Sequence, residues 1–156
     1  MNILVTGGTG LLGKSLQMFL SQAKFINSKD VNLINHAVTS SFFESYEFDV
    51  VVHLAARVGG ILANSAAQYD FFYENTLINI NVINECIKRN IYLIAMSSSC
   101  AYPKNAKYPI TEDQINAGPP EDTNFGYAFA KRMMQNQINA ARDQFGFKAT
   151  ILYSSN

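Results

Sequence analysis

One short stretch limits this chain to very few folds. Thr6-Gly7-Gly8-Thr9-Gly10-Leu11-Leu12-Gly13 follows an apolar, β-rich run and leads into a helical pattern. Glycines spaced G-x-x-G-x-x-G at a strand-to-helix junction meet three needs: Gly7 permits the tight turn, Gly10 lets backbone approach a pyrophosphate, and Gly13 lets helix and strand pack closely. The helix N-terminus then faces the phosphates. A lone glycine triplet marks only a tight turn, so the strand before it and the helix after it carry the reading. Gly7, Gly8, Thr9, Gly10, Leu11, Leu12 and Gly13 are therefore expected against a dinucleotide.

The rest of the chain continues the alternation that this junction begins. Short β-rich runs are expected as strands near Asn2 to Thr6, Lys24 to Asn27, Asp49 to Leu54, Tyr92 to Ser97 and Lys148 to Tyr153. Helical patterns fall between them, at Leu11 to Ala23, Val38 to Tyr46 and Gln68 to Arg89. In the last helix Tyr127, Ala130, Met134, Ile138, Ala141 and Phe145 recur at three- and four-residue steps, with Gly146 placed as its cap. The pattern is α/β: a doubly wound parallel sheet of Rossmann type with about five strands, in one unit over residues 1–156. Pro103 to Asn124, with Pro109, Gly118, Pro119 and Pro120, reads as a long polar loop at the ligand end of the sheet.

Composition removes several function classes. Twelve basic and twelve acidic residues balance, and no basic cluster is longer than Lys88-Arg89 or Lys131-Arg132, so neither a nucleic-acid partner nor an anionic membrane is indicated. No apolar run approaches the roughly 20 residues of a membrane span, and Met1-Asn2-Ile3-Leu4-Val5 enters a strand without a charged leader; a cytoplasmic location is expected. Cys86 and Cys100 are too few for a disulfide framework and lack metal-ligand spacing with His36 or His53, so reduced thiols and no metal site are expected.

An acidic residue closing the second strand would grip the 2′-hydroxyl of NAD. Here Asn27, Ser28 and Lys29 stand where a 2′-phosphate would lie, which points to NADP(H), with Asp30 left as an adenine or ribose contact. Leu54, Ala55 and Ala56 after the third strand, and Met96 and Ser97 at the end of the fourth, complete the cofactor set. Tyr127 and Lys131, four apart on one helix, share a face, so the ammonium is expected to lower the phenol's pKa and to hold the nicotinamide ribose. Ser98 would hydrogen-bond the same substrate oxygen that exchanges a proton with Tyr127. A solvated pair or a packed tyrosine is the bland alternative. His53 reads as a packed, hydrogen-bonded residue and His36 as solvated.

Four segments carry a resemblance: His53-Leu54-Ala55-Ala56-Arg57-Val58-Gly59-Gly60-Ile61, Ser98-Ser99-Cys100-Ala101-Tyr102-Pro103-Lys104, Gly118-Pro119-Pro120, and Asn124-Phe125-Gly126-Tyr127-Ala128-Phe129-Ala130-Lys131-Arg132. Together with the glycine turn they resemble the extended short-chain dehydrogenase/reductase family over essentially the whole chain. At finer grain they are similar to its GDP-L-fucose synthase branch. Val58-Gly59-Gly60 and Ser98-Ser99-Cys100 set that branch apart from the sugar-nucleotide 4-epimerases and dehydratases.

The resemblance implies NADPH-dependent conversion of GDP-4-keto-6-deoxy-mannose to GDP-L-fucose, by epimerisation at C3 and C5 and reduction at C4. Ser98, Tyr127 and Lys131 match the reductive triad, and Cys100 matches an acid or base of the epimerisation; the residues alone would make Cys100 a small buried side chain. It implies a GDP-sugar as partner and a homodimer through the Gln68 to Arg89 and Tyr127 helices. Members of the family are roughly twice this length, so residues 1–156 correspond to the cofactor-binding half. The family's catalytic histidine and its C-terminal substrate domain then fall outside the chain. Leu152-Tyr153-Ser154-Ser155-Asn156 also departs from a Pro-Thr-Asn turn. A catalytically silent dinucleotide-binding module, or another NAD-dependent nucleotide-sugar epimerase or dehydratase, are the alternatives.

Overall fold

The computed structural model describes residues 1–154; the part of the divergent end formed by Ser155 and Asn156 lies outside them. Five parallel strands, β1 (Ile3–Thr6), β2 (Lys24–Ile26), β3 (Val50–His53), β4 (Tyr92–Ser98) and β5 (Ala149–Ser154), form one sheet in the order β2-β1-β3-β4-β5. The chain reverses its direction of travel across the sheet between β1 and β3, which creates a crevice at their carboxyl ends. Register aligns Leu4, Val51 and Leu93 across the sheet, and all three are fully buried.

Helix α4 (Gln68–Lys88) and helix α5 (Phe125–Phe145) cover that face. Val82, Ile83 and Cys86 from α4 and Met134, Ile138 and Ala141 from α5 join the strands in one core. Right-handed crossovers place α1 (Leu11–Gln17) on the opposite face, because β1 to β2 runs against the direction of the later connections. Gly146, at φ 66°, ends α5 with its N–H on the Ala141 and Arg142 carbonyls, as its position in the sequence predicts.

Several boundaries differ from expectation. Helix α1 stops at Gln17 rather than Ala23: the chain must return to pair Lys24 with Leu4, so Met18 and Phe19, which extend the apolar periodicity, lie exposed in a turn. Helix α2 (His36–Glu44) starts two residues early because Asn35 Oδ1 accepts the Val38 N–H at 3.1 Å and caps it. The predicted loop contains two short 3₁₀ turns, Glu112–Asn116 and Asp122–Asn124. Helix α3 (Ile61–Ala66) is absent from the sequence reading; at six residues it is too short to show a period. Among the described residues no helix is long and apolar enough to cross a membrane.

Candidate active site

At the crevice between β1 and β3 lies a cavity of about 300 Å³, walled by Gly7, Ile26, Asn27, Ser28, Ala55, Ala56 and Arg57, with Val31, Leu33, Ile34, Glu74 and Ile78 beside them. Gly7 sits at φ +74°, and a Cβ there would come within 2.8 Å of the Ala55 amide nitrogen. Only glycine lets the first turn of the chain press against the turn that follows β3. Gly13 in turn packs on the Gly7 carbonyl, and Gly8 on the Phe25 side chain. The glycine turn and the cavity thus fit the adenosine end of a dinucleotide, with Gly10 N–H turned to Gly7 O at 3.0 Å to fix the loop.

Of the predicted cofactor contacts, Gly7, Asn27, Ser28, Ala55 and Ala56 line the cavity; Gly8, Thr9, Gly10, Leu11, Leu12, Gly13, Lys29, Leu54, Met96, Ser97 and Lys131 lie outside its wall. Asp30 turns back into the chain and accepts the Asn27 N–H at 2.9 Å, while Asn27 Oδ1 accepts the Lys29 N–H at 2.8 Å. Lys29 is exposed at the rim. Arg57, which sequence reasoning passed over, stands in the wall and pairs with Glu74 at 2.6 Å and Asp70 at 3.5 Å.

Further along the carboxyl edge, Ser98 ends β4, Cys100 follows in a single 3₁₀ turn, and Tyr127 and Lys131 lie in the first two turns of α5. Ser98 Oγ accepts the Cys100 N–H at 3.2 Å, which ties the Ser98 side chain to the backbone of the turn that carries Cys100. Arg132 donates from Nε to the Ala101 carbonyl (2.6 Å) and from Nη1 to the Gly118 carbonyl (2.8 Å), so it holds the turn after β4 and the far end of the loop to α5. Ser97 is buried and its hydroxyl has no partner among the described residues.

Lys131 departs from the expected division of labour. Its Nζ donates to the Met96 carbonyl at 2.7 Å and lies 5.7 Å from the Tyr127 ring centre. Burial brings the Lys131 pKa down to about 8. The Tyr127 pKa is raised rather than lowered: desolvation is the main cause, Cys100 pushes the same way, and a hydrogen bond from Ser98 acts against both. The amine is thus held by backbone, and Tyr127 is a neutral phenol at neutral pH.

His53 is packed, as expected: it is 1% exposed, with Thr6 Oγ1 at 2.8 Å from Nδ1 and Asn79 Oδ1 at 3.1 Å from Nε2. Exposed His36 opens α2. The asparagines of α4 were missed. Asn75 holds both the N–H and the carbonyl of Arg57, at 2.8 and 3.0 Å, and Asn81 donates to the Leu33 carbonyl at 2.8 Å. Asparagine in an apolar helical pattern reads as its wet face, and only the partners distant in sequence reveal otherwise.

The sequence model of the NAD dependent epimerase/dehydratase family matches residues 3–156. The chain belongs to that family. Among family members, GDP-L-fucose synthase of Dictyostelium discoideum is 38% identical over 99% of this chain and 51% of its own length. A GDP-L-fucose synthetase of Naegleria fowleri, solved bound to NADP, is 34% identical with a TM-score of 0.83, over 97% of this chain and 51% of that one. GDP-mannoheptose C4 reductase of Campylobacter jejuni, solved with NADP bound, is 26% identical with a TM-score of 0.92, over 97% and 47%. The chain spans about half the length of the curated relatives it matches.

Proposed function

We propose that residues 1–156 form the NADP(H)-binding domain of a nucleotide-sugar epimerase-reductase of the GDP-L-fucose synthase type, acting on GDP-4-keto-6-deoxy-mannose. The observation that carries the reading is the gathering of Ser98, Cys100 and Tyr127 where β4 ends and α5 begins, at the same carboxyl edge of the sheet as the glycine turn. Reduction at C4 needs Ser98, Tyr127 and Lys131; Cys100 is the additional acid or base that inversion next to a ketone requires. The names of the Dictyostelium and Naegleria relatives support the same substrate class.

A bound nicotinamide supplies the hydride. Tyr127, kept protonated by burial, delivers a proton to the C4 oxygen as it gains charge, and Ser98 donates a hydrogen bond to that oxygen. Lys131 holds the ribose and can release the Met96 carbonyl to do so. Cys100 removes or returns a proton at the carbon beside the ketone. Gly7, Gly8, Thr9, Gly10, Leu11, Leu12 and Gly13 carry the pyrophosphate, Asn27, Ser28 and Lys29 the 2′-phosphate, and Leu54, Ala55, Ala56, Met96 and Ser97 the remaining cofactor face.

Fluorescence titration tests the reading: NADPH binds more tightly than NADH, and Lys29→Ala weakens NADPH about tenfold while leaving NADH unchanged, the size of one charge-assisted contact. Equal affinity of the native chain for both nucleotides would reject it. A second reading, a dinucleotide-binding module without turnover, is separated by assay: it requires the 156-residue polypeptide, given NADPH and the keto sugar, to bind the first and yield no GDP-L-fucose, and formation of GDP-L-fucose would refute it.

The outer faces of α4 and α5 support a homodimer. Tyr69, Tyr73, Phe125 and Met133 are 72%, 48%, 48% and 40% exposed there, and two apolar grooves run between the helices, one at Phe72 and Phe129, the other at Ile80 and Met133. A self-complementary four-helix contact covers both. Light scattering is expected to give twice the chain mass at micromolar concentration, and Met133→Glu to give the monomer.

A further inference from the structure

A chain of hydrogen bonds, buried except at its Ala55 end, joins the wall of the cavity to the peptide that precedes Lys131. The Ala55 N–H donates to Thr6 Oγ1 at 3.1 Å, Thr6 Oγ1 lies 2.8 Å from His53 Nδ1, His53 Nε2 lies 3.1 Å from Asn79 Oδ1, and Asn79 Nδ2 donates to the Ala130 carbonyl at 3.3 Å. One arrangement of protons satisfies every link. Asn79 gives its NH₂ to a carbonyl and so offers Oδ1 as acceptor; His53 therefore carries its proton on Nε2; bare Nδ1 takes the Thr6 hydroxyl; the Thr6 oxygen keeps its lone pairs for Ala55. Thr6, His53 and Asn79 are 0%, 1% and 2% exposed, so water does not replace a broken link.

The ends of this chain matter more than its length. Ala55 walls the dinucleotide cavity and is the residue against which Gly7 packs. Ala130 supplies the carbonyl of the peptide that joins it to Lys131. Apolar contacts alone would let α5 slide or rotate over α4 at little cost, since they have no direction. A satisfied buried polar chain allows one register only.

We propose that Thr6, His53 and Asn79 are positioning residues, which fix the Ala130-Lys131 peptide against the turn under the dinucleotide and so set the direction in which the Lys131 amine leaves α5. The proposal rests on the reading of Lys131 as part of the site. It makes the cavity and the proton-transfer group one mechanical unit: a change at β1 reaches Lys131 through His53 and Asn79.

The test needs no cofactor. Thr6→Val keeps the shape and removes the hydroxyl; Thr6→Ser keeps the hydroxyl. Neither residue touches Lys131. With lysine side chains labelled with nitrogen-15 and the Lys131 signal assigned by its loss in Lys131→Met, Thr6→Val is expected to shift that signal and Thr6→Ser to leave it in place. Asn79→Leu is expected to shift it as well, and the double variant to add nothing to the larger single effect. A Lys131 signal in folded Thr6→Val that coincides with the native one overturns the proposal, and the Thr6 pair decides alone if Asn79→Leu does not fold. Both shifting variants should also weaken NADPH about three- to tenfold, toward the lower end of coupling through a shared network. Absence of NADPH binding by the native chain would count against the functional reading and leave the spectroscopic result standing.

Discussion

Lowering the pH from 7 to about 4 is expected to cost the native chain a large part of its stability, and His53→Gln should remove most of that loss. Burial, with Lys131 nearby, brings the His53 pKa down to about 3 from 6.5, despite a hydrogen bond to Asn79 that acts the other way. Between those two values the unfolded chain binds a proton that the folded chain refuses. Stability from this group is therefore complete above pH 6.5 and falls as the pH drops toward 3, by about 1.4 kcal/mol for each unit. At about pH 4 the loss is on the order of 3 kcal/mol, against a total of roughly 5–15 kcal/mol for a domain of this kind. Glutamine has a donor and an acceptor for Asn79 and Thr6 but does not titrate. It is expected to lower stability at pH 7 and to flatten the dependence below it. Urea unfolding at pH 7, 5.5 and 4 measures both slopes. Parallel curves for the two proteins would mean that His53 takes up its proton in the folded state without cost.

His53 also illustrates how much could be read from residues alone. Its place at the end of an apolar strand, directly before Leu54-Ala55-Ala56, was enough to call for a packed and hydrogen-bonded side chain, which the structure has. The glycine turn was legible for the same kind of reason, since Gly7 and Gly13 are demanded by contacts within a few residues or with the adjacent strand. The partners Thr6 and Asn79 were not legible, because they lie 47 and 26 residues away and each is an ordinary residue in its own element. Strand order was legible in part: the glycine turn and five β-rich runs announce a doubly wound sheet, as observed, but that the reversal falls between β1 and β3 is fixed by pairing.

The Tyr127-Lys131 pair shows the opposite case. Helical spacing did place both in the first turns of α5, near Ser98. It could not reveal that a carbonyl on β4 would take up the amine, or that burial, with Cys100 beside it, would outweigh the Ser98 hydrogen bond in setting the phenol's pKa. Local spacing brings side chains to one face; the strand beneath decides what they do with their protons.

Gly126→Ala is expected to destabilise the chain by about 3 kcal/mol or more, although alanine is the better helix former. Gly126 is the second residue of α5, and a Cβ on it would fall on the carbonyl oxygen of Gln68, the first residue of α4. Replacing glycine by alanine within a helix gains about 1 kcal/mol at most, and less in a first turn. Forcing a methyl group into backbone costs typically 1–3 kcal/mol and more where neither side can yield. Here neither can, because the Gly126 N–H donates to Gln68 Oε1 at 2.7 Å while Gln68 Nε2 donates to the Asp122 carbonyl at 2.7 Å. Separation of the helices would break both bonds, so strain and loss of the clamp add. For a domain of this size the melting temperature should fall on the order of 10 °C. Gly60→Ala is the control: no atom lies within 4 Å of its added Cβ, and its melting temperature should stay near the native value. Tyr127 follows Gly126 directly, so at temperatures where Gly126→Ala remains folded the Lys131 amine and the phenol should still report a displaced helix start. A Gly126→Ala protein that melts at or above the native temperature would show that α4 and α5 can move apart there without loss.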